Sequence, residues 1–158
     1  MLQKFHQEMT SHFGTERCIT GSMAVKMLHL KYPAPTAVQP PPPNDIDAVI
    51  TKIPQRCFWN TIFEGYKMKQ SEFKKSGTTF ERENNQSIDL CFSKNLPETV
   101  EIEYEGITFK VIHPKALLEF YKEILEEEED LMIIEKRDAM EIKIQILTDI
   151  VNFIGIQA

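Results

Sequence analysis

Apolar residues recur at Leu2, Phe5, Met9 and Phe13, a three-to-four-residue spacing that lines one face of a helix. Gly14 supplies its stop. Cys18, Ile19 and Thr20 then read as a short strand, which turns through Gly21 and Ser22 into an apolar run from Met23 to Leu30. That run predicts a second helix, capped by Ser22 and ended before Pro33. Residues 33–43 contain Pro33, Pro35 and four consecutive prolines at 40–43. Proline neither continues a helix nor donates to a central strand, so this stretch predicts a stiff, polyproline-like surface loop. A recognition segment for a proline-binding domain is the alternative use of such a composition.

After the prolines the pattern changes. Residues 44–50 (Asn-Asp-Ile-Asp-Ala-Val-Ile) predict a strand. Pro54 predicts the start of a helix through Cys57, Phe58, Ile62 and Phe63 to Gly65. Further strands are expected near residues 66–73, 77–81 and 87–92. Residues 100–104 and 107–112 alternate apolar and polar side chains around Glu105 and Gly106, a hairpin signal. Pro114 then opens a helix through Leu117, Leu118, Tyr121 and Leu125, and a last helix from about residue 131 carries Ile134, Met140, Ile144, Leu147 and Val151.

A chain of 158 residues buries a core without disulfide or metal staples, and one domain over residues 1–158 is the expectation. Its 42% hydrophobic and 27% charged residues set disorder and fibrous repeats aside. No apolar run approaches the roughly 18 residues a membrane span needs, and the first residues lack the apolar core of a signal peptide, so a soluble cytoplasmic protein is expected. Cys18, Cys57 and Cys91 are widely spaced and contain no CxxC, which predicts reduced thiols rather than a disulfide frame or zinc site. The net charge of −6 argues against a protein that grips nucleic acid with its whole surface. A polyanionic substrate must then be met locally, by a metal or a small basic patch.

Alternation along a strand places Asp45 and Asp47 on one face and Ile46 and Ala48 on the other. Two carboxylates held side by side repel unless a proton or cation neutralises them, and hard divalent ions prefer oxygen ligands. Magnesium is the expected occupant. In Ser87-Ile88-Asp89-Leu90-Cys91-Phe92 the same rule buries Ile88, Leu90 and Phe92 and turns Asp89 to the opposite face. A third carboxylate on a neighbouring strand would complete a site for two ions, with Asp89 nearest the nucleophile as ligand or general base. Gly21 and Ser22, where a strand turns into a helix, offer free backbone N–H groups at the positive end of the helix dipole, and Ser22 adds a hydroxyl for a β- or γ-phosphate.

Gly21-Ser22 followed by Asp45-Ile46-Asp47-Ala48 resembles the signature of the nucleotidyltransferase superfamily. Its members include DNA polymerase beta, the aminoglycoside nucleotidyltransferases and the AbiEii-type toxins. The resemblance implies an α/β (α+β) fold, a mixed sheet flanked by helices with a C-terminal helical pair over residues 114–155. It implies magnesium, two ions, at Asp45, Asp47 and Asp89, and Ser22 on the triphosphate. The ending looks like the AbiEii-type branch: Val111-Ile112-His113-Pro114, a helix bearing Lys122, then Glu135-Lys136-Arg137-Asp138. From that likeness Lys122 is expected to reach the nucleotide phosphates, and an antitoxin-like protein partner is implied. The spacer between Ser22 and Asp45 is longer than the family usually shows, and the proline segment is expected to loop out beside the site.

The activity so implied moves a nucleoside monophosphate from an NTP such as ATP to a hydroxyl on RNA, protein or a small molecule. A nucleotidyltransferase-like module without turnover, working through a protein partner, is the competing reading. Lys67, Lys69, Lys74 and Lys75 form a local basic cluster that would steer a triphosphate or RNA acceptor. The acidic residues 126–130 read as a solvated turn between helices. His6, His12, His29 and His113 show no metal-ligand spacing and are expected to be structural.

Overall fold

The computed structural model describes residues 2–14, 16–33, 39–40, 43, 45–83, 86–128 and 133–157. Most of the proline-rich segment, Asn44 at the start of the expected strand, residues 129–130 of the acidic turn and residues 131–132 at the expected start of the last helix lie outside them. The elements are α1 (Leu2–Phe13), β1 (Arg17–Thr20), α2 (Gly21–Lys31), β2 (Ile46–Ile50), β3 (Lys67–Met68), β4 (Thr78–Glu81), β5 (Ser87–Phe92), β6 (Thr99–Tyr104), β7 (Ile107–Ile112), α3 (Pro114–Glu128) and α4 (Ile134–Gln157). The seven strands form one mixed sheet in the order β3-β4-β5-β2-β1-β7-β6. Strand β2 runs antiparallel to β1 and parallel to β5, and β1 runs parallel to β7.

Strand alternation decides what each face of the sheet carries. Ile46, Ala48 and Ile50 of β2 are buried, as are Ile88 and Leu90 of β5, their partners in register being Ile46↔Ile88 and Ala48↔Leu90. Phe80 of β4, paired with Ile88, continues this apolar face. Phe63 closes over it, with ring centroids 5.1 Å from Phe80 and 5.9 Å from Phe5 of α1, so α1 reaches the sheet through stacked aromatics. Phe92, expected inside, is only half-buried at the end of β5. The other face carries Thr20, Asp47, Asp89 and Thr79 in adjacent register across β1, β2, β5 and β4. Helices α3 and α4 pack on each other, and α4 also packs on α2, which lies against β2.

Three local expectations are corrected. The helix expected from Pro54 to Gly65 is a 3₁₀ turn, Arg56–Phe58, followed by tight turns. A helix burying Ile62 would also turn Phe58 inward one turn earlier, yet Phe58 is exposed against His12 while Ile62 and Phe63 are both buried as neighbours. The Trp59 indole N–H donates to the Pro54 carbonyl at 3.0 Å and fixes the turn. The strand expected over residues 66–73 contracts to Lys67–Met68. Beyond it the Gln70 side chain, not its backbone, accepts from the Thr79 N–H at 2.9 Å. Finally, Thr20 rather than Ser22 is the N-cap residue of α2, and it makes no side-chain capping bond. The β6–β7 hairpin forms as the pattern requires, with Glu105 and Gly106 both at positive φ (53° and 81°), the backbone a two-residue primed turn needs.

Candidate active site

Asp47 and Asp89 stand side by side because β2 and β5 are parallel and in register at these positions. Each interrupts an apolar alternation, so the hydrophobic burial of Ile46, Ala48, Ile88 and Leu90 forces both carboxylates onto the opposite face. Burial pushes the Asp47 carboxyl up to about 6, and the charges of Asp89 and Asp45 add to the rise. Lys143 on α4 pulls the other way, and the adjacent Asp89 side chain adds a further, smaller push upward on Asp47.

Asp89 is oriented by two hydroxyls: Thr79 Oγ1 donates to its Oδ1 at 2.7 Å and Ser87 Oγ to its Oδ2 at 3.2 Å. The Ser87 backbone N–H meanwhile donates to Asp45 Oδ1 at 3.0 Å. Asp45 precedes β2 instead of lying in it, and this bond ties its carboxylate to the start of β5. Ser87 therefore bridges the two outer carboxylates. The structure brings Asp47 and Asp89 together and leaves Asp45 at the margin, felt by Asp47 through its charge. Among the described residues no group of three His, Cys, Asp or Glu side chains is gathered to hold a metal ion.

Gly21 links this pair to the start of α2. Its φ is +68°, a region costly for residues with a side chain, and a Cβ here would fall 2.8 Å from Asp47 Cγ and 2.9 Å from its Cβ. Glycine is required both by the turn and by the close approach of Asp47. Thr20, Gly21 and Ser22 line one wall of a cleft of about 560 Å³ whose floor includes Asp47, Thr79 and Asp89. The facing wall comes from α3 and α4: Phe120, Tyr121, Lys136, Met140 and Lys143.

Lys143 is half-buried, and burial lowers its pKa while Asp47 raises it and Lys136 lowers it further. Its ammonium sits 5.7 Å from the Tyr121 ring centroid. The Tyr121 hydroxyl is itself raised by burial and by Asp47, so it stays a neutral donor.

Lys122 does not line this cleft; it is exposed. Tyr121 points inward, and the next residue of a helix is rotated by about 100°, which carries Lys122 towards solvent. Lys143 and Lys136 supply the cleft's cations. Lys143 was legible in principle: it occupies the inner position in the series Met140, Lys143, Leu147, Ile150, where its three companions are buried. Of the basic cluster, Lys67 and Lys69 border a separate open groove along β3 with Arg82, and Lys69 pairs with Glu81 at 3.6 Å.

No protein-family model and no curated protein matches this chain. Solved structures do. The solution structure of the antibiotic-resistance factor ANT(2'')-Ia aligns over 92% of this chain and 86% of that one, with a TM-score of 0.58 and 14% identity. The lincomycin-bound crystal structure of the lincosamide antibiotic adenylyltransferase LnuA aligns over 95% and 98%, at TM-score 0.57 and 15% identity. An antigenic nucleotidyltransferase-like protein from Paracoccidioides brasiliensis aligns over 89% and 70%, at TM-score 0.51 and 14% identity. The chain has the nucleotidyltransferase fold. Within it, the mixed sheet and the C-terminal helical pair stand as the signature residues implied. Among the described residues no helix is long and apolar enough to cross a membrane.

Proposed function

We propose that this protein is a metal-dependent nucleotidyltransferase that transfers a nucleoside monophosphate from an NTP to a hydroxyl acceptor. The observation that carries the reading is the Asp47–Asp89 pair, in register on adjacent strands beside the Gly21 turn. Two like-charged groups, one of them held with a raised pKa, form an oxygen-only donor set that a hard divalent cation such as magnesium fits. Asp47 and Asp89 would hold it, and Asp45 would join if its bond to the Ser87 N–H gave way. Bound there, magnesium would neutralise the carboxylates and offset charge on the phosphates.

The remaining work falls to the chain's own groups. The N–H groups at the start of α2 and the Ser22 hydroxyl bind the anionic phosphates, helped by the dipole of α2. Lys143 and Lys136 add positive charge from the facing wall. The acceptor hydroxyl attacks the α-phosphorus, its proton passes to the Asp89 carboxylate, and the bond to the leaving pyrophosphate breaks. Thr79 and Ser87 keep Asp89 oriented for that transfer.

The aligned lincosamide adenylyltransferase favours a small-molecule hydroxyl over RNA or protein, and the toxin role and antitoxin-like partner rest only on the Lys122-bearing ending. Incubation with labelled NTPs, magnesium and a panel of hydroxyl acceptors should show transfer that Asp47→Ala abolishes. Transfer that survives Asp47→Ala overturns the proposed chemistry.

A further inference from the structure

The start of α2 and the carboxylates account for one wall and the floor of the cleft. The facing wall holds Phe120, a phenylalanine 53% exposed at the lip of the cleft, beside the charged side chains of Lys136 and Lys143. Its neighbour Tyr121 is buried, and the two rings stand 6.2 Å apart at 41°, so Phe120 is backed by an aromatic that does not move with solvent. Met140, buried on α4, lines the same wall. An apolar ring kept in water at the mouth of the cleft contributes nothing to the core; a flat π-surface arriving in the cleft would cover it.

We propose that Phe120 is the platform on which the nucleobase of the NTP stacks, and that the base is selected by stacking area and not by its hydrogen-bonding edge. This rests on the nucleotidyltransferase reading of the same cleft. The second half follows from what surrounds the ring. Among the described residues of the cleft there is no Asn, Gln or Glu side chain, and the two aspartates lie on the sheet. The polar groups on the helical wall are the lysines Lys136 and Lys143, and the buried Tyr121 hydroxyl. Lysine donates and accepts nothing, so it does not tell adenine from guanine by a paired donor and acceptor. Stacking is tolerant of base identity and scales with ring size. Purine NTPs should therefore bind better than pyrimidine NTPs, with ATP and GTP alike within about tenfold, since no side chain of the helical wall pairs selectively with the edge on which the two bases differ.

Calorimetry of the full chain with magnesium tests this, using non-hydrolysable ATP, GTP and UTP analogues and, as a ligand without a base, tripolyphosphate. Phe120→Ala should weaken the ATP analogue about tenfold or more, in the range of base–aromatic stacking. It should leave tripolyphosphate unchanged, and Phe120→Trp should restore ATP-analogue affinity. Equal losses for ATP analogue and tripolyphosphate, or no loss for either, overturn the platform. So does a Phe120→Ala variant that changes only the sedimentation behaviour of the protein, which would assign the ring to a protein contact. A wild type that prefers the ATP over the GTP analogue by more than tenfold overturns selection by area. A wild type that binds no tripolyphosphate with magnesium overturns the parent reading, and this one with it.

Discussion

Replacing Asp47 by asparagine should make the protein more stable at neutral pH while removing the proposed transfer activity. The Asp47 carboxyl is raised from an ordinary 3.8 to about 6. A group raised in the folded state favours folding where it is protonated, and that contribution is lost as pH rises through the folded value. The wild type should therefore lose stability between about pH 4 and pH 6, by about 3 kcal/mol from the linkage of about 1.4 kcal/mol per pH unit of displacement. Asparagine keeps the shape and does not ionise. Asp47→Asn should then exceed the wild type by up to about 3 kcal/mol at pH 7.5, or about 6–12 °C in Tm for a chain of this size. The two should nearly coincide at pH 4. Chemical denaturation of both proteins at the two pH values reads the difference directly. Saturating magnesium should narrow it at pH 7.5, because an ion bound only to the folded wild type stabilises that protein alone. A variant no more stable than the wild type at pH 7.5, or a gap that is the same at both pH values, refutes the claim that Asp47 is held against electrostatic repulsion.

Gly21→Ala should cost about 1–2 kcal/mol from the positive φ alone, with a further loss from collision with Asp47; thermal melts should show it, and an unchanged Tm would contradict the close approach of Gly21 to Asp47. Lys143→Met should raise the Asp47 pKa further, since Lys143 holds it down, so the pH at which magnesium binding is half-lost should move upward, whereas Lys122→Ala should leave it in place. Cys18 is buried with its thiol raised to about 11, while Cys57 and Cys91 are exposed. A thiol reagent at pH 7.5 should modify two cysteines quickly and the third only on unfolding; a fast third equivalent would contradict the packing of β1.

What the sequence disclosed of this fold is what one strand or one turn dictates by itself. Asp47 between Ile46 and Ala48, and Asp89 between Ile88 and Leu90, announce their faces because burial of the apolar neighbours leaves no other choice. Glu105-Gly106 announces the hairpin because both positions accept positive φ. What stayed hidden depends on distant partners. Nothing near residues 54–65 reveals that Phe63 will be captured between Phe5 and Phe80, which makes a turn preferable to a helix there. The separation of Asp45 from the other carboxylates arises from a bond to Ser87, 42 residues away. Lys143 entered the site because α4 packs on α3 and α2 beside the cleft, and only its place in an otherwise buried helical series hinted at that.

Manganese binding followed by electron paramagnetic resonance, with a non-hydrolysable ATP analogue present, reads whether Asp47 and Asp89 together hold a divalent ion. The wild type should take up the ion saturably, and Asp47→Asn and Asp89→Asn should each abolish the uptake while the folded state persists. Uptake that is undiminished in either variant, or absent from the wild type, would contradict ion binding by the pair.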